Sequence, residues 1–230
     1  MIEGPYIAEA AALMGDPARA NMLSAMMDGR ARTASELAYV AGVSPPTASG
    51  HLAKLTEGKM VAVEKQGRHR YYRLAGKDVA NALEALMVVA SSGARRHRPT
   101  GPRDEQMRLA RTCYDHLAGR LGVALTEALI DKGYLTSDDE AFHLTPSGEE
   151  GLAQFGLDID ALKKSRRAFA SRCLDWSERT PHMGGALGAA LLAQLESRKW
   201  IARKKDSRTV EVTRAGQKGL SQQFGISLDD

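Results

Sequence analysis

Two sets of residues have types and spacings that could do chemistry. The first lies in the predicted helix Pro45–Leu55, where Ala48, Leu52 and Leu55 recur at i, i+4 and i+7 and define an apolar face. Thr47, Gly50, His51 and Lys54 fall on the opposite side, and Lys65, Arg68 and Arg70 cluster at the tip of a following hairpin. Hydroxyl, imidazole and cationic groups on one outward face are the donors and acceptors that base edges and phosphates accept. The second set is Cys113 and Cys173, each followed two residues later by an aspartate, with His116 close to the first. If the fold joins the two thiols, with His116 or His182 nearby, they make a redox, soft-metal or metalloid switch; if not, each is a small buried core residue.

The elements that must position the first set can be read from their end signals. Ser44 is the expected N-cap of the Pro45 helix, with Pro45 at its first position, where a missing N–H costs nothing. Before it come a helix over Glu36–Ala41, opened by the capping box Thr33-Ala34-Ser35-Glu36, and the turn Gly42-Val43-Ser44. Earlier still, Ile7–Met14 and Ala18–Met27 read as helices separated by Gly15-Asp16-Pro17, the second burying Met22, Leu23, Met26 and Met27. Met60–Lys65 and Arg70–Leu74 alternate as half-buried strands around Gln66-Gly67-Arg68-His69. Asp78–Ala90 follows as a long helix with Val79, Leu83, Leu86 and Val89–Ala90 on one face, a stripe expected to form a dimer seam with Ile7, Ala11 and Met14.

Charge placement agrees with one polyanion-facing surface. The 230 residues carry a net +4, and residues 1–98 account for all of it, with 13 Lys+Arg against 9 Asp+Glu. Between Lys54 and Arg73 there are six basic residues and two acidic ones. No apolar stretch is long enough to span a bilayer and no secretory signal is visible, so a soluble, cytoplasmic protein without membrane association is expected. Phosphate-cradling glycine loops, paired catalytic carboxylates and Cys-x-x-Cys or His-x-x-x-His spacings do not occur, so neither an enzyme, a cofactor nor a metal is expected.

Residues 5–92 resemble the ArsR family of winged-helix repressors. The resemblance is carried by Leu13-Met14-Gly15-Asp16-Pro17-Ala18-Arg19, Glu36-Leu37-Ala38, Val43–Leu55 and the wing Gly67–Leu74, in that order. It implies a homodimer that binds an imperfect operator palindrome in double-stranded DNA and releases it when an effector arrives. It also implies DNA contacts from Pro45, Pro46, Thr47, Ser49, Gly50 and Lys54 on the helix and from Lys65, Gln66 and Arg68 on the wing. Metal-sensing members carry cysteines where this chain reads Arg32–Ala38, or an Asp/His ligand set where it reads Asp78–Leu83, so both of those sites are absent. Direct base readout would rest on Thr47, Ser49, His51 and Lys54, with His51 as readily structural, and DNA shape would carry much of the specificity.

The second half repeats itself. Leu109–His116 matches Phe169–Trp176, Gly133-Tyr134-Leu135 matches Lys199-Trp200-Ile201, and Leu144–Gly148 matches Val212–Gly216. This alignment sets His116 opposite Trp176, outside any repeated ligand set, and treats Ser177–His182 as an insertion. Each unit reads as helix, helix, two short strands and a final helix capped by Thr145 or Thr213, similar to a degenerate winged helix. The expected fold is therefore α+β and mostly α: an N-terminal winged helix-turn-helix over 1–92, a basic linker over 93–103, and a duplicated effector domain over 104–230 with repeats at 104–157 and 165–226. The linker arginines either lie along phosphates or are simply solvated. The function expected is a homodimeric repressor released by a small-molecule effector bound between the repeats. The rivals are a thiol or soft-metal switch at Cys113 and Cys173, and a DNA-tethered protein-interaction module.

Overall fold

The computed structural model describes residues 7–66, 69–92, 102–205 and 207–228. It divides into two compact units, Met1–Leu83 and Glu84–Asp230.

The first unit contains α1 (Ile7–Gly15), α2 (Pro17–Ala25) running into a 3-10 turn, β1 (Arg32–Thr33), α3 (Ala34–Ala41), α4 (Pro45–Glu57), β2 (Val61–Gln66), β3 (His69–Leu74) and the start of α5 (Lys77–Ser92). The expected caps are in place. Asp16 accepts from the Arg19 N–H at 2.9 Å, and Thr33 and Glu36 close a reciprocal capping box at the start of α3. Ser44 accepts from the Thr47 N–H at the start of α4. Met22, Leu23, Met26 and Met27 are fully buried, and Ala48, Leu52 and Leu55 turn the inner face of α4 onto them. β1 was not expected. Its two residues pair with Tyr72 and Tyr71 of β3 and extend the hairpin to a three-stranded antiparallel sheet of order β1-β3-β2. Two residues are too few to show an alternating pattern, so only the pairing reveals the strand. Arg32 there is buried and holds the Asp28 carboxylate at 2.7 Å, tying β1 to the end of α2.

The second unit takes the rest of α5, then α6 (Pro102–Leu109), β4 (Arg111–Cys113), β5 (His116–Ala118), α7 (Arg120–Asp131), β6 (Leu135–Ser137), β7 (Phe142–Leu144) and α8 (Pro146–Gln154). After the connecting helix α9 (Ile159–Lys163), the pattern recurs as β8 (Arg172–Leu174), β9 (Pro181–Met183), α10 (Gly185–Ser197), β10 (Ile201–Arg203), β11 (Val210–Val212) and α11 (Arg214–Phe224). Thr145 and Thr213 cap the last helix of each repeat, accepting from Gly148 and Gly216 at 3.0 and 2.9 Å.

One expectation is corrected in both repeats. Leu109–His116 and Phe169–Trp176 do not form helices: each repeat opens with a β-hairpin, β4–β5 or β8–β9. Three-residue strands are too short for a period-two signal, β4 and β5 being buried throughout, and the first turn is made at Tyr114 with φ 58°, a conformation a tyrosine does not advertise. The repeating unit is thus hairpin, helix, hairpin, helix. The two copies interlock. The N–H of Thr112 in β4 donates to the Arg208 carbonyl beside β11, and Ala141 beside β7 bridges Ser171 beside β8. A single apolar cluster, including Leu117, Leu121, Leu125, Leu187, Leu191 and Leu220, runs through both copies.

Candidate functional site: an outward helix face and a buried cysteine–histidine cluster

In the first unit, α4 presents Pro45, Pro46, Thr47, Ser49, Gly50 and Lys54 on its exposed side, because Ala48, Leu52 and Leu55 are drawn into the core at helical spacing. The hydroxyls are partly engaged. Thr47 Oγ1 lies 2.8 Å from Ser44 Oγ, and Ser49 Oγ donates to the Pro45 carbonyl at 3.0 Å. His51 departs from the rest of the set. It is half-buried, with Nδ1 3.8 Å from the carboxylate of Asp16, so it faces the start of α2. Beyond α4, Lys65, Gln66 and Arg70 are exposed on β2 and β3, with Lys65 opposite Arg70 and Gln66 opposite His69. Gly67 and Arg68 lie outside the described residues. The first unit thus exposes a helix side with small and polar residues and, on the hairpin that follows it, the cations Lys65 and Arg70.

In the second unit the hairpins bring together four residues that are up to 69 positions apart. Cys113 pairs across its hairpin with His116, and Cys173 pairs across its own with His182. The thiol sulfurs of Cys113 and Cys173 are 3.8 Å apart, and the Nε2 atoms of His116 and His182 are 3.1 Å apart. One donor atom from each residue, all buried, fits within 4.8 Å of the other three. The register overturns the alignment of His116 with Trp176. The six extra residues belong to the turn between Cys173 and His182, so His116 matches His182. The sequence holds a signal for this, because His116-Leu117-Ala118-Gly119-Arg120-Leu121-Gly122 and His182-Met183-Gly184-Gly185-Ala186-Leu187-Gly188 share their histidine, glycine and leucine positions. The expectation of no metal ligand set rested on linear spacing, and cross-strand pairing supplies a set that linear spacing cannot show.

Each imidazole is backed by a carboxylate on its other nitrogen. His116 Nδ1 lies 3.3 Å from Asp115, and His182 Nδ1 lies 3.3 Å from Asp175. Asp175 is itself anchored by the Arg111 guanidinium at 2.7 Å, the Gly119 N–H at 2.7 Å and the Ser177 N–H at 2.9 Å, while Arg111 stacks over Trp176. Asp115 is held by Arg167 at 2.6 Å. Burial alone would raise the Asp175 pKa, but His182, Arg111 and the Gly119 N–H outweigh it and hold the carboxyl far below the usual range. For His182, burial works against the charged form, yet Asp175 and the Cys173 sulfur overcome it and raise the pKa to about 9. Of the facing thiols, Cys173 is the one pulled down, chiefly by the hydrogen bond from Cys113. Cys113 is pushed up by that same bond and by burial.

Two close helix–hairpin approaches shape the pocket. A Cβ at Gly188 of α10 would stand 3.2 Å from the His116 Cβ and collide with the Met183 carbonyl. A Cβ at Gly122 of α7 would meet the Leu117 carbonyl at 2.6 Å and lie 3.8 Å from the His182 Cβ. Each repeat's first helix therefore supports the other repeat's histidine. Side chains from both copies, among them Leu121, Leu125, Leu187 and Leu191, pack into one shared core. A groove of about 370 Å³ also lies between the copies, lined by Phe142 and His143 of the first, Phe169 and Ser171 of the second, and Lys163 of the connecting helix. No helix among the described residues is long and apolar enough to cross a membrane.

Residues 14–64 match the family model described as a helix-turn-helix domain. Over 224 residues the chain is 41% identical to the uncharacterized HTH-type transcriptional regulator YdfF of Bacillus subtilis (strain 168), covering 97% of this chain and 99% of that one. It is 35% identical over 72 residues to the HTH-type transcriptional regulator Rv0324 of Mycobacterium tuberculosis, covering 31% of each. Among solved structures, the homodimeric winged helix-turn-helix DNA-binding domain (fragment 1–100) of Mb0332 from Mycobacterium bovis is similar over 43% of this chain and 97% of its own. The identity is 25% and the TM-score 0.36.

Proposed function

Because the chain belongs to the HTH-type transcriptional regulators, we propose that it is an ArsR-type homodimeric repressor whose second unit is its effector domain. In this reading α4 enters the major groove of each half of an operator palindrome. The β2–β3 hairpin follows the flanking phosphates. The observation that carries it is the capped helix α4, which buries Ala48, Leu52 and Leu55 and leaves Pro46, Thr47, Ser49, Gly50 and Lys54 facing out beside the exposed cations Lys65 and Arg70. Gly50 and the prolines carry no side-chain donor, and the Thr47 and Ser49 hydroxyls are partly spent within the helix. Shape and deformability of the operator then contribute much of the discrimination. Self-association is supported by α1, which buries none of its nine residues and leaves Ile7 78% exposed.

For the effector, the thiol-based reading is favoured over an organic ligand held between the repeats. Cys113 and Cys173 meet across the two copies at 3.8 Å with both histidines beside them, and the groove at Phe142, Lys163 and Phe169 is where an organic ligand would bind instead. The test is an anisotropy titration of the purified chain against DNA from upstream of its own reading frame, at several salt concentrations. Two protomers are expected per palindromic site, with affinity falling steeply as salt rises. A monomer that shows no preference for that DNA over random duplex at low salt overturns the proposal.

A further inference from the structure

We propose that Cys113, His116, Cys173 and His182 bind one metal ion of the zinc class in a closed, tetrahedral Cys2His2 site that joins the two repeats of the second unit. As a binding site this rests on geometry alone; as a means of regulation it rests on the effector-domain reading above.

The sulfur–sulfur and nitrogen–nitrogen distances match the coordination. Metal–sulfur bonds of roughly 2.3 Å and metal–nitrogen bonds of roughly 2.0–2.1 Å at tetrahedral angles place the two sulfurs about 3.8 Å apart and the two nitrogens about 3.3 Å apart. The sulfurs here are 3.8 Å apart and the nitrogens 3.1 Å. A disulfide would need the sulfurs near 2.05 Å, and without a metal the two imidazoles can meet nitrogen to nitrogen only by sharing a proton.

The tautomers make the same point. Each Nδ1 faces a carboxylate, Asp115 or Asp175, at 3.3 Å. With both rings neutral and the proton on Nδ1, toward that carboxylate, each Nε2 turns a bare lone pair inward; without the ion, a proton held on His182 lies between them instead. Two such lone pairs at 3.1 Å repel unless a cation lies between them, and the thiol sulfurs approach from the other side. Carboxylate–histidine–metal relays of this kind orient the ring and make it a better donor. Charge closes as well: a dipositive ion with two thiolates and two neutral imidazoles is neutral, which suits a buried site. Binding releases two protons to solvent, either from both thiols or from one thiol and the His182 imidazolium, and breaks no other bond. Four protein donors leave no open position, so the ion holds the hairpins together and activates no water.

The test is a Co2+ titration of the reduced, full-length chain. Saturation is expected at one ion per chain, with the visible bands of tetrahedral cobalt and a near-ultraviolet thiolate charge-transfer band, both abolished by added Zn2+. Saturation at another ratio, an octahedral spectrum, or uptake without the thiolate band overturns the assignment; so does no uptake, which would mean that the two imidazoles share a proton instead. His182→Gln is expected to abolish the tetrahedral bands, and Asp175→Asn to weaken cobalt affinity about 10–100-fold while keeping the band positions. Should either variant fail to fold, the wild-type titration decides. The same preparation is tested for DNA binding. A chain that takes up one ion but ignores its upstream DNA keeps this site and sinks the repressor reading, and a chain that binds the DNA but takes up no cobalt does the reverse.

Discussion

The outward face of α4 and the buried cluster of the second unit handle polar groups in opposite ways. Thr47, Ser49 and Lys54 stand in solvent, where each can be changed without disturbing the core beneath. Arg111, Asp175, His116 and His182 are buried, and each depends on the next for its charge or its hydrogen bonds. An exposed reading surface is therefore modular, whereas a buried polar network is all-or-none. The two tryptophans, Trp176 and Trp200, both belong to the second unit, so their fluorescence follows that unit while circular dichroism follows both.

The contrast can be broken at its strongest point first. Arg111→Ala leaves the Asp175 carboxylate buried without its cation, and should cost about 3–5 kcal/mol. The tryptophan-monitored melt should move down sharply. An unchanged melt would show that the buried pair is not coupled to the stability of that unit. Next, Leu52→Ala cuts the inner face of α4 and should cost about 2–5 kcal/mol. The loss should appear in the circular-dichroism melt while the tryptophan transition stays in place; a joint shift would mean that the units do not melt independently. Smaller effects are expected on the exposed face. Thr47→Ala should alter preference among operator variants by about 1–3 kcal/mol, while Arg70→Ala should weaken all sequences alike and reduce the salt slope by about one. Neither should move either melt by more than about 0.5 kcal/mol. If Thr47→Ala weakened every sequence equally, the division between reading and holding would fail.

The same contrast explains what was legible in the sequence. The first unit is built from local signals: Asp16, Thr33 and Ser44 each cap the helix that follows them, and Ala48, Leu52 and Leu55 lie within two turns. Only β1, whose existence depends on distant Tyr71 and Tyr72, escaped notice. In the second unit the repeat and its long helices α7 and α10 were visible, as were the Thr145 and Thr213 caps. The opening hairpins were not, because their strands are three residues long and their turns differ by six residues. That difference hid the equivalence of His182 and His116. A histidine ligand set formed across strands has no fixed spacing along the chain, so only the register of β8 and β9 reveals it. His51 shows the converse limit: it lies on the outer side of α4 by periodicity, yet the nearby Asp16 carboxylate turns it toward α2.

Duplication normally gives a protein a spare part, one copy free to drift while the other keeps the job. Here each copy contributes one sulfur and one nitrogen to a shared cluster, and each copy's first helix supplies the glycine beneath the other's histidine. Neither copy is a backup for its twin. A mutation that removes a donor from one half leaves the other with a partial set that it cannot complete alone, so the two halves are bound to a common fate in spite of their ancestry as repeats.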